Sequence, residues 1–290
     1  MSGFTLERSS TFIYVDFVNF RKKQSSFIVN YYDIFCKTQL VRVGDGKIVS
    51  PVPETFSLNK PQLVLVLSQL GDFDSLEYAW WLHKDRSLLL HVDFVAVGIG
   101  DRRSGQKFCE YTGFAPEQLF IDPTANLHQT LGLYTGLTWN IPGLKAGQQA
   151  WVNLMLMCAG IGSPGTLKEV FRGYKGDKTA PQLFGDEEII NAPPLPELKG
   201  KFFETAGGKG FQRPLELATL RLRNMGEVLG NWSTYVPDAS LMTQRGGTFL
   251  FDTDGSLLYK HLDQNILGFA ENMSRPLSFL ESIQWNTATT

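Results

Sequence analysis

The chain is poor in the residues that thiol and metal chemistry require. Its 290 residues include three cysteines and four histidines. Cys36, Cys109 and Cys158 lie far apart, so there is no Cys-x-x-Cys pair for disulfide exchange. His83, His91, His128 and His261 are dispersed without metal-ligand spacing, and neither a metal nor another cofactor is expected. A sparse, odd set of cysteines suits a reducing compartment better than a disulfide-built secreted fold. A surplus of one charge is also missing. The formal net charge of −2 provides no basic face for nucleic acid, which is excluded as a partner class. No apolar run reaches the roughly 18 residues of a membrane span, and the N-terminal residues lack the basic and apolar regions of a secretory leader. Gly160–Gly165 has no phosphate-loop lysine, and Asp252–Gly255 lacks the later ligands of a calcium loop.

Apolar and aromatic residues are plentiful. Hydrophobic residues make up 43% of the sequence, enough at this length for a substantial core. Phe12, Tyr14, Phe17, Phe20, Phe27, Tyr31, Tyr32 and Phe35 crowd residues 11–40. Alternation from Phe12 to Val18 predicts a strand, which Arg21–Lys23 interrupts. This segment reads either as an arm packed on the core or as a docking surface, because aromatic rings give large contact area at low entropic cost. Tyr14, Phe17, Tyr31 and Trp151 are candidate partner contacts by residue type. A short hairpin is expected around Gly44–Gly46, making 1–59 an arm and hairpin beside the main domain.

From Leu63 the pattern becomes regular. It predicts strand 63–67, helix 75–90, strand 92–98, helix 104–112, strand 118–121 and a short helix near 124–131. Alternating β and α units with Val/Leu-rich strands indicate an α/β fold with parallel pairing. A hairpin, 248–251 with 256–259, and a closing helix at 276–283 complete the expected domain. The interval 140–240 mixes apolar segments with Pro- and Gly-rich loops. It reads as an elaboration within one domain, 60–283, ahead of a tail at 284–290.

The most informative segment is Leu63–Ser75. Five consecutive apolar residues, Leu63–Leu67, suit a strand buried on both faces. Asp72, Asp74 and Ser75 are good N-cap types, and Asp74 to Glu77 has capping-box spacing. A thiol oxidoreductase places its reactive cysteine at such a junction, where the helix N-terminus favours a thiolate. Carboxylates stand there instead. They can cap a helix but cannot exchange with a disulfide.

In this register the chain resembles the peroxiredoxin-like (AhpC/TSA-type) family of the thioredoxin superfamily, in a version similar to cyanobacterial and plastid members. Typical members follow the strand with Gly-Cys-Pro-Phe-Cys-Arg-Glu, and Gly71–Glu77 occupies that stretch, so Asp72 and Ser75 match the two family cysteines. Further similar blocks are Val95–Gly100, Phe108–Phe114, Leu119–Pro123, Leu131–Leu133 and Gln244–Asp252 with Gly255. The resemblance covers roughly 60–140 and 240–283. It implies a thioredoxin-like central mixed sheet flanked by helices, with an N-terminal extension and a long middle insertion. It also implies that Arg245 resembles a family arginine that supports peroxide chemistry, with one extra residue before Phe249, and that Gly246–Gly247 lets backbone approach the groove.

Three functional readings follow. The leading one is a redox-inactive peroxiredoxin-like protein that binds another protein as a scaffold or assembly component. The second is a thiol antioxidant or oxidoreductase using Cys36, Cys109 or Cys158 outside the usual motif. The third is a small-anion-binding protein using the groove at Asp72, Ser75, Arg245, Gly246 and Gly247. The expected location is cytoplasmic or plastid-stromal, with peripheral association at a photosynthetic membrane complex following from the resemblance alone.

Overall fold

Leu63, Leu65 and Leu67 point to one side of a central strand, while Val64 and Val66 point to the other; both sides are buried. This strand, β3 (Gln62–Gln69), follows a short helix α1 (Tyr31–Lys37), β1 (Leu40–Arg42) and β2 (Ile48–Val49). The computed structural model describes residues 30–52 and 59–283. Beyond β3 come α2 (Phe73–Lys84), β4 (Asp93–Ile99), α3 (Arg102–Thr112), β5 (Leu119–Ile121) and α4 (Asn126–Thr130). The elaboration contributes α5 (Ala146–Cys158), α6 (Thr166–Lys175), a small ribbon of β6 (Ile189–Ile190) and β7 (Leu198–Lys199), α7 (Glu204–Gly207), α8 (Glu216–Gly230) and α9 (Trp232–Tyr235). The chain then returns to the sheet through β8 (Gly247–Phe251) and β9 (Leu257–Leu262).

The seven-stranded sheet runs β2-β1-β5-β4-β3-β8-β9. β3 pairs in parallel with β4, and β4 with β5, whereas β3–β8 and β8–β9 are antiparallel. This mixed sheet with flanking helices is a thioredoxin-like, peroxiredoxin-like α/β fold. The expected hairpin near residue 45 is part of the sheet, because Val41 and Arg42 pair with Ile121 and Phe120 of β5. One face carries Val64, Val66, Val95, Val97, Phe120, Phe249 and Phe251, and Phe35 from α1 packs on it. The other face meets α2, α3 and α8 through Leu65, Leu76, Trp81, Phe108, Leu217 and Leu220.

Three local expectations are corrected. Helix 75–90 begins earlier and stops at Lys84, where a 3₁₀ turn at Arg86–Leu89 takes over, a common tightening at helix ends. The closing helix 276–283 is reduced to a 3₁₀ turn, Ser278–Leu280; its i to i+3 spacing aims Leu277 and Leu280 together into the core. The Asp74–Glu77 capping box does not form. Asp72 caps α2 by accepting the Asp74 backbone N–H at 3.0 Å, and both Asp74 and Glu77 are taken by distant partners.

Helix α6 is turned inside out. Its buried side holds Thr166 and Gly173, with Glu169 and Arg172 largely covered. Leu167, Phe171 and Tyr174 face outward at 46%, 55% and 56% exposure. The inward charges explain this arrangement: Arg172 pairs with Glu169 at 2.8 Å, and Arg221 from α8 donates to the Glu169 carbonyl at 2.9 Å. The Arg172–Glu169 pair within α6 and Arg221 of the neighbouring α8 occupy its inward side and leave its apolar stripe outward.

Candidate functional site

The junction between β3 and α2 holds one buried guanidinium among three carboxyl groups. Asp72 sits at the helix start because Gly71 turns the chain against Tyr235, where an added Cβ would lie 2.8 Å from the Tyr235 Cβ. Arg245 reaches it from the segment entering β8. Its Nη2 donates to Asp72 Oδ2 at 2.5 Å and to the Met242 carbonyl at 3.0 Å. Nη1 lies 3.4 Å from Asp74 Oδ2, and Nε donates to the Thr243 carbonyl at 3.0 Å. The side chain is fully buried. Gly246 permits this approach, because an added Cβ would stand 2.1 Å from the Val66 carbonyl oxygen of β3.

Asp74 and Asp263 complete the cluster. The Leu267 backbone N–H donates to both Asp74 oxygens, at 2.8 and 3.0 Å. Burial pushes the Asp74 carboxyl well above its ordinary value, with Asp72 adding to the effect and Arg245 opposing it. Burial likewise pushes Asp263 up to about 8, against the pull of Arg245. Asp263 Oδ1 receives no hydrogen bond among the described residues, and His261 Nε2 is 3.6 Å away. One guanidinium cannot balance three dehydrated carboxylates, so protonation is the inexpensive way to hold the excess acid.

Ser75 has a simpler role. Its hydroxyl donates to the Gln69 carbonyl at 2.9 Å and lies 3.1 Å from Ser68 Oγ, tying the first turn of α2 to the end of β3. Thus Asp72, Ser75, Arg245 and the Gly246–Gly247 pair are brought to one place. The three cysteines are not brought into a disulfide, and all are free and half-buried. Burial raises every one of them: Cys36 in direction, Cys109 up to about 12 and Cys158 up to about 11. A nucleophilic thiol needs the opposite shift. Among the described residues no cluster of ligating side chains could hold a metal, and no helix is long and apolar enough to cross a membrane.

The candidate partner contacts fall in different settings. Tyr14 and Phe17 lie outside the described residues. Tyr31 packs on Phe249 at 5.0 Å between ring centroids and lies under Lys260 Nζ at 4.8 Å. Trp151, on α5, stacks on Trp232 at 5.1 Å and keeps 38% of its surface exposed. Sequence reasoning missed Asp263 and the Leu267 N–H altogether. No local signal marks them, since both come from the segment after β9.

A thioredoxin-like sheet with a buried ionic cluster at its strand–helix junction, and no close cysteine pair among the described residues, defines the fold class. The particular family follows from sequence comparison: a model for the AhpC/TSA antioxidant enzymes matches residues 81–265, and the chain belongs to that family. The match starts within α2, just past Ser75, so membership rests on the elements that follow the junction. No curated protein and no solved structure matches the chain.

Proposed function

We propose that this chain is a redox-inactive member of the AhpC/TSA family that acts by binding another protein, in a reducing aqueous compartment such as the cytoplasm or plastid stroma. The observation that carries the reading is the salt bridge from Arg245 to Asp72 and Asp74 at the position that the family resemblance assigns to the dithiol. An arginine held there by two carboxylates has no thiolate to activate. The upward shifts of Cys36, Cys109 and Cys158 argue against a substitute nucleophile. Arg245 is also spoken for by protein acceptors, which argues against a small-anion site.

The partner reading is supported by the outward stripe of α6. Leu167, Phe171 and Tyr174 are flanked by exposed Lys168 and Lys175, with Lys175 Nζ 5.6 Å from the Phe171 ring centroid. An apolar ridge rimmed by lysines fits a protein surface that offers an apolar groove edged with carboxylates.

Two measurements test the proposal. Hydroperoxide and disulfide turnover, with thiol reductant supplied, should remain at buffer background for the wild type and for C36S, C109S and C158S. Reductant-dependent turnover abolished by one of these substitutions overturns the redox-inactive reading. Capture from native extract, repeated reciprocally with the captured protein as bait, should be weakened at least tenfold by Phe171→Ser with Tyr174→Ser and unaffected by the cysteine variants. Equal capture by folded wild type and double variant places the interaction elsewhere.

A further inference from the structure

A cavity of about 430 Å³ opens beside Phe73, the residue between the two carboxylates of the junction. It is an open-sided cleft, since Tyr174, Leu195 and Leu215 in its wall are 56%, 41% and 44% exposed. It lies in the size range of small-molecule sites. Its walls come largely from the elaboration: Val170 and Tyr174 of α6, Leu222 and Met225 of α8, with Cys158 at the end of α5. Small residues create the room, notably Gly173 and Ala218.

The charged group of the wall and one of its hydroxyls are already engaged. Arg221 donates to Glu77 Oε2 at 2.6 Å, to Glu77 Oε1 at 3.1 Å and to the Glu169 carbonyl at 2.9 Å. The Thr166 hydroxyl donates to the Ile266 carbonyl at 2.9 Å. Drawing Arg221 toward an anionic ligand would strip the fully buried Glu77 of its counter-charge, a costly exchange. The wall therefore offers apolar contact without a free charge.

Backbone strain is concentrated at the same cavity. Three non-glycine residues among those described have left-handed backbone: Ala125, Leu215 and Leu267, with φ of 55°, 67° and 56°. Two of them, Leu215 and Leu267, line the cavity. A leucine in this region is disfavoured sterically and persists where its surroundings hold it. Here the holding contacts are known: Leu215 N–H donates to the Tyr174 carbonyl at 3.1 Å, and Leu267 N–H donates to Asp74. Both contacts fix apolar side chains on the wall of the hollow.

We infer that this cavity is a binding site for an uncharged, hydrocarbon-rich small molecule, walled by the elaboration and braced by the ionic cluster through Leu267. The cavity shares Tyr174 with the exposed stripe of α6, but the inference does not depend on the protein-partner reading. Nile red, which is uncharged and brightens in apolar surroundings, serves as the probe with the full chain. Saturable binding at one molecule per chain is expected. Decan-1-ol should displace it, while decanoate, which differs by bearing a charge, should do so at least tenfold more weakly. Ala218→Trp and Val170→Trp fill the space from opposite helices, and either folded variant should lose the saturable signal. Leu167→Ser with Phe171→Ser, which alters outer-stripe residues that do not line the cavity, should retain it. Absence of saturable binding by the wild type, equal displacement by alcohol and carboxylate, or undiminished binding by a folded, filled variant each overturns the inference.

Discussion

Replacing Asp263 by Asn should make the protein less sensitive to pH and more stable in alkali. The wild-type carboxyl is buried and holds its proton up to about pH 8, whereas an aspartate in the unfolded chain releases it near pH 4. Between those values the folded state binds a proton that the unfolded state does not. The contribution of this group is therefore fully present below about pH 4 and is lost as pH rises through about 8. One proton corresponds to roughly 1 kcal/mol per pH unit in that window, so the accumulated effect is of the order of a few kcal/mol. Groups acting on Asp263 include Arg245, which favours ionisation, and Asp72, which opposes it; His261, Tyr78 and Tyr259 also lie within range. Asn mimics the neutral acid and cannot ionise. Urea denaturation of both proteins from pH 5 to 9 should show similar stability at pH 5, a shallower decline for the variant, and a variant more stable than wild type at pH 9. Taking the difference between the two proteins removes the titration of unaffected groups. Parallel curves, with a constant offset across the range, would refute the buried neutral carboxyl.

Other perturbations have definite expected outcomes. Arg245→Met leaves Asp72, Asp74 and Asp263 without their common cation and should cost about 3–5 kcal/mol in urea melts, more at pH 8 than at pH 5. A loss below 1 kcal/mol would show that the ion pairs matter little. Gly246→Ala should destabilise by about 1–3 kcal/mol or more, since its methyl would collide with the Val66 carbonyl; a neutral effect would mean that β8 can move away from β3. Installing cysteines at 72 and 75 removes the helix cap and should lower stability by at least roughly 0.5–2 kcal/mol. The resulting pair should give no disulfide-reductase turnover above the wild-type background, because Phe73, Asp74 and Leu76 differ from the family motif and the carboxyls of Asp74 and Asp263 lie beside the pair.

The legible parts of the fold were those with a local cause. The apolar run Leu63–Leu67 specified a two-sided buried strand, and the alternation up to residue 131 specified parallel β/α units. The interval 140–240 read only as apolar segments between Pro- and Gly-rich loops, and the inside-out rotation of α6 had no local signal. It depends on Arg221 and Arg172 finding carboxyl and carbonyl partners inside the elaboration. At the junction, Asp72 could be read as a cap because capping is a matter of neighbours. Asp74 invited the same reading, but its partners are Arg245 and the Leu267 backbone. Asp263 carried no sequence signal, since its significance arises only when β8 and β9 bring it beneath the helix start.

The ionic cluster also changes when this part of the molecule can be completed during folding. Two cysteines at 72 and 75 would be neighbours on one helical turn from the moment that turn formed. The groups present instead join positions separated by 173 residues between Asp72 and Arg245, and by 193 between Asp74 and Leu267. Their loop must close, with the whole elaboration inside it, before either contact forms. The cluster can therefore form only together with the return of β8 to β3. A chain halted before that return would expose three acidic side chains without their arginine and leave the edge of β3 open for pairing. In this protein the junction between β3 and α2 is the clasp by which the two ends of the domain are joined.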